Sequence, residues 1–132
     1  MLRVAVGVIG NAAGEVLVAL RHAHLHQGGL WEFPGGKIAD GESVEAALAR
    51  ELHEELGIHV ERAQPLLTVR HAYADRSVEL QVWRVTAFAG EVHGREGQPL
   101  RWIAIPELDP VDFPAADLPI IEALRHACTA AD

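Results

Sequence analysis

Three glutamates crowd the run Arg50-Glu51-Leu52-His53-Glu54-Glu55-Leu56-Gly57. Glu51, Glu54 and Glu55 are spaced by three and four residues, so a helix through them puts all three on one face. Gly57 reads as the residue just past the helix end, which places Glu54 and Glu55 in the last turn. There the backbone dipole is negative, and an exposed anion costs about 0.3–1 kcal/mol. Each Glu–Glu pair adds about 0.2–0.5 kcal/mol. A solvated acidic helix end is the plain alternative, but two neighbours count against it. Arg50 precedes the cluster, within reach to orient a carboxylate. Val44, Leu48, Leu52 and Leu56 form an apolar stripe beside the acidic face, which sets the carboxylates at the rim of the core. A divalent cation would reverse the sign of each repulsive contribution. Glutamate oxygens with no cysteine nearby select a hard ion, Mg2+ or Mn2+. Mg2+ keeps several waters and is commonly shared between carboxylates and phosphates. The chemistry these residues suggest is that of a metal–phosphate site.

The helix that must carry them is bracketed by its own signals. Ser43 suits an N-cap and Gly57 a stop, which predicts a helix over about residues 44–56. Upstream, residues 2–9 and 15–20 are apolar runs joined by NAAG and read as a β-hairpin. HAHLHQGG at 22–29 is a polar loop, and WEF at 31–33 a short aromatic strand stopped by a turn at Pro34-Gly35-Gly36. Downstream, strands around 65–73 and 77–87 flank Ala74-Asp75-Arg76. A last strand spans 100–105, and a second amphipathic helix spans 118–128. Such a mixture predicts an α/β protein with one mostly antiparallel or mixed sheet between helices.

Composition narrows the class. A chain of 132 residues with 49% hydrophobic content is one globular domain, 1–132. A formal charge of −8 argues against nucleic-acid and anionic-membrane partners, while leaving room for a small polyanion bound through a metal ion. Cys128 is the single cysteine, which excludes an internal disulfide framework and fits a reducing cytoplasm. The apolar start is interrupted by Arg3, Asn11, Gly14 and Glu15, unlike a signal peptide or a membrane span. Oligomeric state is left open, and a monomer is compatible with the sequence.

Residues 36–58 carry G-x(5)-E-x(7)-R-E-U-x-E-E-x-G-U, with U aliphatic, at every fixed position. The matches are Gly36, Glu42, Arg50, Glu51, Leu52, Glu54, Glu55, Gly57 and Ile58. At ordinary residue frequencies, chance gives this on the order of once in ten million chains. The pattern is that of the Nudix box, and the chain resembles the Nudix hydrolases. AVGVIGN, Arg21, LWEFPGGK, GREGQPLRW and DFPAADLPIIEAL extend the resemblance to the MutT-type branch along nearly the whole chain. The resemblance implies an α/β/α sandwich with a mixed central sheet, the box forming a strand–loop–helix. It also implies Mg2+-dependent hydrolysis of nucleoside triphosphates to the monophosphate and pyrophosphate, notably of 8-oxo-dGTP, which sanitises the nucleotide pool. Carried over by position, Glu51 matches the general base, and Arg50 and Glu54 belong with it to the catalytic group. Glu51, Glu54, Glu55, Glu96 and a backbone carbonyl of Gly35–Gly36 match metal ligands. Arg21, His26, Glu32, Phe33, Pro34 and Gly35 match substrate contacts.

Elementary chemistry agrees with several of these roles. Glycines at 35 and 36 let backbone approach a metal closely, and Arg21 offers a fixed positive charge to a triphosphate. Taken singly, Arg21 and Glu96 would read as surface residues, and Trp31 and Phe33 as core or pocket wall. His22, His24 and His26 alternate like ligands, but a loop without cysteines is a poor histidine–metal site. At Asp117 the chain departs from the 8-oxo-dGTP pattern, which has asparagine there. An amide both donates and accepts, whereas an ionised aspartate only accepts. It suits an edge that presents donors, such as the cytosine amino group. Asp117 is also placed to cap the helix beginning near Leu118. The CTP pyrophosphohydrolase branch shares the aspartate and the LWEF run. The reading is therefore 8-oxo-dGTP first, and CTP or 5-substituted dCTP second. A non-catalytic nucleotide-sensing module comes third, disfavoured because Arg50, Glu51, Glu54 and Glu55 are all intact.

Overall fold

Strict alternation is missing from the first two apolar runs because each is covered on both faces. In strand β1 (Leu2–Ile9), Ala5 and Ile9 pack with Leu48, Leu52 and Leu56 of helix α1 (Val44–Leu56). Val6 and Val8 point the other way, into a second cluster with Ile120, Ile121 and Leu124 of helix α2 (Leu118–Ala130). Strand β2 (Glu15–Leu20) divides likewise, Leu17 toward α1 and Val16 and Val18 toward α2. The computed structural model describes residues 1–22 and 28–130, the last three by backbone alone. His24 and His26 lie outside the described residues.

The hairpin expected of β1 and β2 does not form, because both edges of β1 are taken by other strands. Strand β4 (Gly35–Lys37) pairs antiparallel with it from Val4↔Lys37 to Val6↔Gly35, and strand β6 (Ser77–Ala89) pairs parallel from Leu2↔Val78 to Ile9↔Val85. Beyond a single bridge, Gly10↔Val16, β2 departs to another sheet. There it lies between strand β3 (Trp31–Glu32) and strand β7 (Leu100–Ala104). The intervening turn is organised by Asn11, whose side-chain oxygen accepts the Ala13 and Glu15 N–H groups, both at 3.0 Å.

Strand β5 (His59–Ala72) completes a four-stranded mixed sheet ordered β4-β1-β6-β5, against the three-stranded antiparallel sheet β3-β2-β7. The expected α/β/α arrangement holds, with its central layer divided in two and not one continuous sheet. β5 begins at His59, six residues before the predicted start, since its first half is an edge strand rich in polar residues. Register shifts between Val60 and Arg62 and between Pro65 and Leu67 disrupt that edge. Gly35 and Gly36, expected to turn, belong to strand β4. Their glycine requirement is one of close approach: a Cβ at Gly35 would overlap the Ala5 carbonyl, and one at Gly36 the Glu51 carboxylate.

Helix α1 follows its sequence signals. Ser43 Oγ accepts the Ala46 N–H at 3.1 Å, and Gly57 ends the helix at φ 74°, its N–H donating to the His53 carbonyl.

Candidate active site

Strand β4, the following loop and α1 fold back on one another because Arg50 ties them together. Its Nε and Nη2 donate to the two oxygens of Glu42, each at 2.9 Å, in a bidentate fork. Nη2 also donates to the Lys37 carbonyl at 3.0 Å, and Nη1 to Glu51 Oε1 at 2.8 Å. Glu54 lies 3.6 Å from the same Nη1, with its side chain 55% exposed. Glu42 further accepts the Ala39 N–H at 3.0 Å. Together the Arg50 fork and this amide hold its carboxyl down at about 2, and the guanidinium is raised in turn by Glu42 and Glu51. Arg50, expected to orient the cluster, thus contacts two of its three carboxylates, Glu51 directly and Glu54 at longer range.

Glu55 turns away from Arg50. Its carboxyl accepts the Gly35 N–H and is pushed up to about 8, first by burial and then by the charges of Glu32, Glu51 and Glu96. Among the described residues, no three carboxylate, histidine or cysteine side chains converge on one point as a closed ligand set. The physical reason is visible: Arg50 draws Glu51 and Glu54 toward itself while Glu55 faces inward. A partly buried carboxyl surrounded by three others nevertheless fits a divalent cation, which would offset both the burial and the repulsion. Glu51, Glu54, Glu55 and Glu96, with backbone oxygens of Gly35 and Gly36, are the groups able to hold it.

A cavity of about 310 Å³ opens beside this cluster. Its wall carries both acidic and polar groups, Glu55, Glu96 and Gln98, and apolar ones, Val4, Phe33 and Leu80, together with Asp117. Phe33 is buried and stacks on Phe113 with centroids 5.5 Å apart, so it serves core and pocket wall together. Arg21 also lines the cavity and donates through Nη1 to Glu32 Oε2 at 2.7 Å. Burial raises Glu32, and this pairing opposes the shift. Trp31 packs at the edge of the core, and Pro34 gives its carbonyl to the Gly7 N–H at 2.8 Å, a tie between strands.

Asp117 is only 8% exposed, and its side chain takes the Phe33 N–H, where a cap to α2 was the alternative expected. Burial, reinforced by Glu32 and opposed by Arg21, pushes its carboxyl up to about 8. A carboxyl raised this far keeps its proton into the neutral range, which gives Asp117 an O–H donor beside the acceptor role expected from the sequence. Tyr73, also on the cavity wall, was not legible in the sequence; its hydroxyl accepts the Ala116 N–H at 2.9 Å and so steadies the segment that carries Asp117. Gln98 was missed as well, although it sits two residues after Glu96 in a run already noted.

Residues 5–123 match the family model described as the NUDIX domain. The chain is 40% identical to the 8-oxo-dGTP diphosphatase of Escherichia coli K12, covering 95% of this chain and 97% of that protein. It is 37% identical to the CTP pyrophosphohydrolase of the same strain, with 93% and 90% covered. A solved MutT structure, from work on Aliivibrio salmonicida and Vibrio cholerae, superposes with a TM-score of 0.79 at 36% identity, covering 93% of this chain and 94% of that one. The E. coli ORF135 protein superposes at 0.86 with 35% identity, covering 98% and 92%.

Proposed function

Because the chain belongs to the Nudix hydrolase family, we propose that it hydrolyses nucleoside triphosphates to the monophosphate and pyrophosphate with Mg2+, and that 8-oxo-dGTP is its principal substrate. The carrying observation is one hollow of about 310 Å³ whose wall joins Glu55 of the box helix and Glu96 to Phe33, Leu80 and Asp117. Arg50 holds Glu51 by one oxygen and leaves the other to accept a proton from the attacking water. Glu51, Glu54, Glu55, Glu96 and the Gly35–Gly36 backbone are the groups that would hold the cation. When bound, Mg2+ neutralises phosphate charge and lowers the pKa of a coordinated water. Arg21 adds a fixed positive charge at the cavity wall, and Glu32 sets its orientation.

For base choice, the neutral form of Asp117 supports the 8-oxo-dGTP reading. Its O–H can donate to the O6 acceptor of 8-oxoguanine while its other oxygen accepts N7–H, the pair of roles an asparagine amide would fill. The second reading, a CTP or 5-substituted dCTP pyrophosphohydrolase, draws on the aspartate itself, which in its ionised form suits a donor edge, and on the likeness to a CTP pyrophosphohydrolase. Among the described residues no helix is long and apolar enough to cross a membrane, and we place the activity in the cytoplasm, where its substrates are.

Pyrophosphate release measured across 8-oxo-dGTP, dGTP, dCTP, 5-methyl-dCTP and CTP, with and without Mg2+, tests the proposal. The expected result is Mg2+-dependent release with the highest kcat/KM on 8-oxo-dGTP. A pyrimidine triphosphate in first place would establish the second reading, and binding without release would make the chain a sensor.

A further inference from the structure

The carbonyls at the C-terminal end of α1 are capped by one short loop. His93 N–H donates to the Leu56 carbonyl at 3.1 Å, and Arg95 N–H to the Glu55 carbonyl at 3.0 Å. The Arg95 guanidinium reaches the His53 carbonyl at 3.1 Å, placing a cation where the helix dipole is negative. Gln98 contributes in a different way, because it is bonded at both ends of its amide. Its Nε2 donates to the Glu55 carbonyl at 3.2 Å, and its Oε1 accepts the Glu96 N–H at 3.0 Å. The loop is held tight around it: Gly97 N–H donates to the Gly94 carbonyl at 3.0 Å, and a Cβ on Gly94 would overlap the Gln98 backbone. One side chain thus spans from the Glu55 carbonyl to the Glu96 N–H, and the carboxyls of these two residues line one cavity and repel each other.

We propose that Gln98 is a positioning residue of the hydrolytic site, a two-ended clamp that sets Glu96 against Glu55 and thereby fixes the affinity for the divalent cation. This rests on the reading above that Glu55 and Glu96 hold that cation. Arg95 has the other task, docking the loop on the helix end. Partners that orient metal-holding side chains commonly change metal affinity by about 10- to 100-fold when removed. The clamp differs from simple loop stability in one respect: its effect passes through Glu96.

The test is a double-mutant cycle read by Mn2+ binding to the substrate-free protein, by calorimetry or electron paramagnetic resonance. Gln98→Met, similar in length but without either hydrogen bond, is expected to weaken Mn2+ binding about 10-fold or more. In a Glu96→Gln background the same substitution is expected to add less than about 2-fold, since effects routed through one shared partner are not additive. Arg95→Met is expected to lower Tm while leaving the Mn2+ Kd nearly unchanged. If Gln98→Met folds poorly, Gln98→Asn, too short to span both partners, carries the same expectation. Unchanged Mn2+ affinity in the Gln98 variant, a full effect in the Glu96→Gln background, or an equal effect of Arg95→Met would each overturn the clamp. Should Glu96→Gln alone leave Mn2+ binding intact, the assignment of Glu96 to the cation fails and the clamp with it. If Glu96→Gln weakens binding and Gln98→Met does not, only the clamp fails.

Discussion

Arg50 commits its guanidinium to three partners at once: both oxygens of Glu42, one of Glu51, and the Lys37 carbonyl. A lysine ammonium cannot reproduce that planar fork. Arg50→Lys is expected to lower kcat by about 10- to 100-fold with KM nearly unchanged, because positioning is lost and not substrate contact. Steady-state kinetics decide it, and a raised KM with intact kcat would instead put Arg50 on a phosphate. Glu55→Gln removes a charge from the group that would hold the cation and should cost at least about 100-fold in kcat/KM at saturating Mg2+. Without metal the Glu55 carboxyl is raised to about 8, so its repulsion with Glu32, Glu51 and Glu96 grows only as pH climbs through that value; Tm of the metal-free variant should match the parent near pH 7 and exceed it above about pH 8. At Asp117 the sign of the pH dependence is fixed by a carboxyl raised from an ordinary value near 4 to about 8. The native state keeps this proton longer than the unfolded chain, so stability falls as pH rises from about 4 to 8. Asp117→Asn lacks that loss, and its Tm advantage over the parent should grow across the same window. The ratio of kcat/KM for 8-oxo-dGTP over dCTP should drop roughly 2- to 10-fold in the parent between pH 7 and 9, as the donor is lost. It should stay level in the asparagine variant, which also controls for titration of the bases. A level ratio in both proteins would remove Asp117 from base selection.

Between elements, one carboxylate binds three strands into a row. Glu79 on β6 stands opposite Arg3 on β1 and Arg70 on β5 in the strand register. It accepts Gln81 Nε2 at 3.1 Å and Nε of each arginine at 3.0 Å. The Gln81 amide and the two arginines hold its carboxyl down at about 2. Its contribution to stability is therefore complete above the ordinary carboxylate range near 4.5 and is lost as pH falls from there toward 2. Glu79→Gln should lower Tm at pH 7, and the difference from the parent should shrink steadily through acid titration; a constant difference would show that charge is not the cause. This row was not legible in the sequence, and neither was the partner of β1, for the same reason. Strand pairing is non-local, and a strand covered on both faces shows no alternation to mark its side. Helix α1 was legible to its caps, because Ser43, the four-residue stripe and Gly57 act within one short segment. Gly35 and Gly36 misled, since a glycine needed for close approach looks in sequence like a glycine needed for a turn.

Across the whole molecule, the acidic residues of the cavity wall were readable and much of the rest of the wall was not. Glutamates placed against a helix dipole are conspicuous because they violate a local rule. Tyr73 and Gln98 violate none, and they matter only because the fold brings residues 43 apart into hydrogen-bond contact in each case. The divided central layer has a further consequence. The proposed cleavage site draws on β4, α1 and the loop docked on the helix end, elements tied together by the hydrogen bonds of Arg50 and Gln98. The proposed contacts to the base are Phe33, past the end of β3, and Asp117, ahead of α2, and among the described residues neither is a hydrogen-bond partner of Arg50. Substitutions there can retune which nucleotide is admitted without disturbing how its phosphates are cut. The scaffold is thus suited to diversify by exchanging its reading head while inheriting its blade.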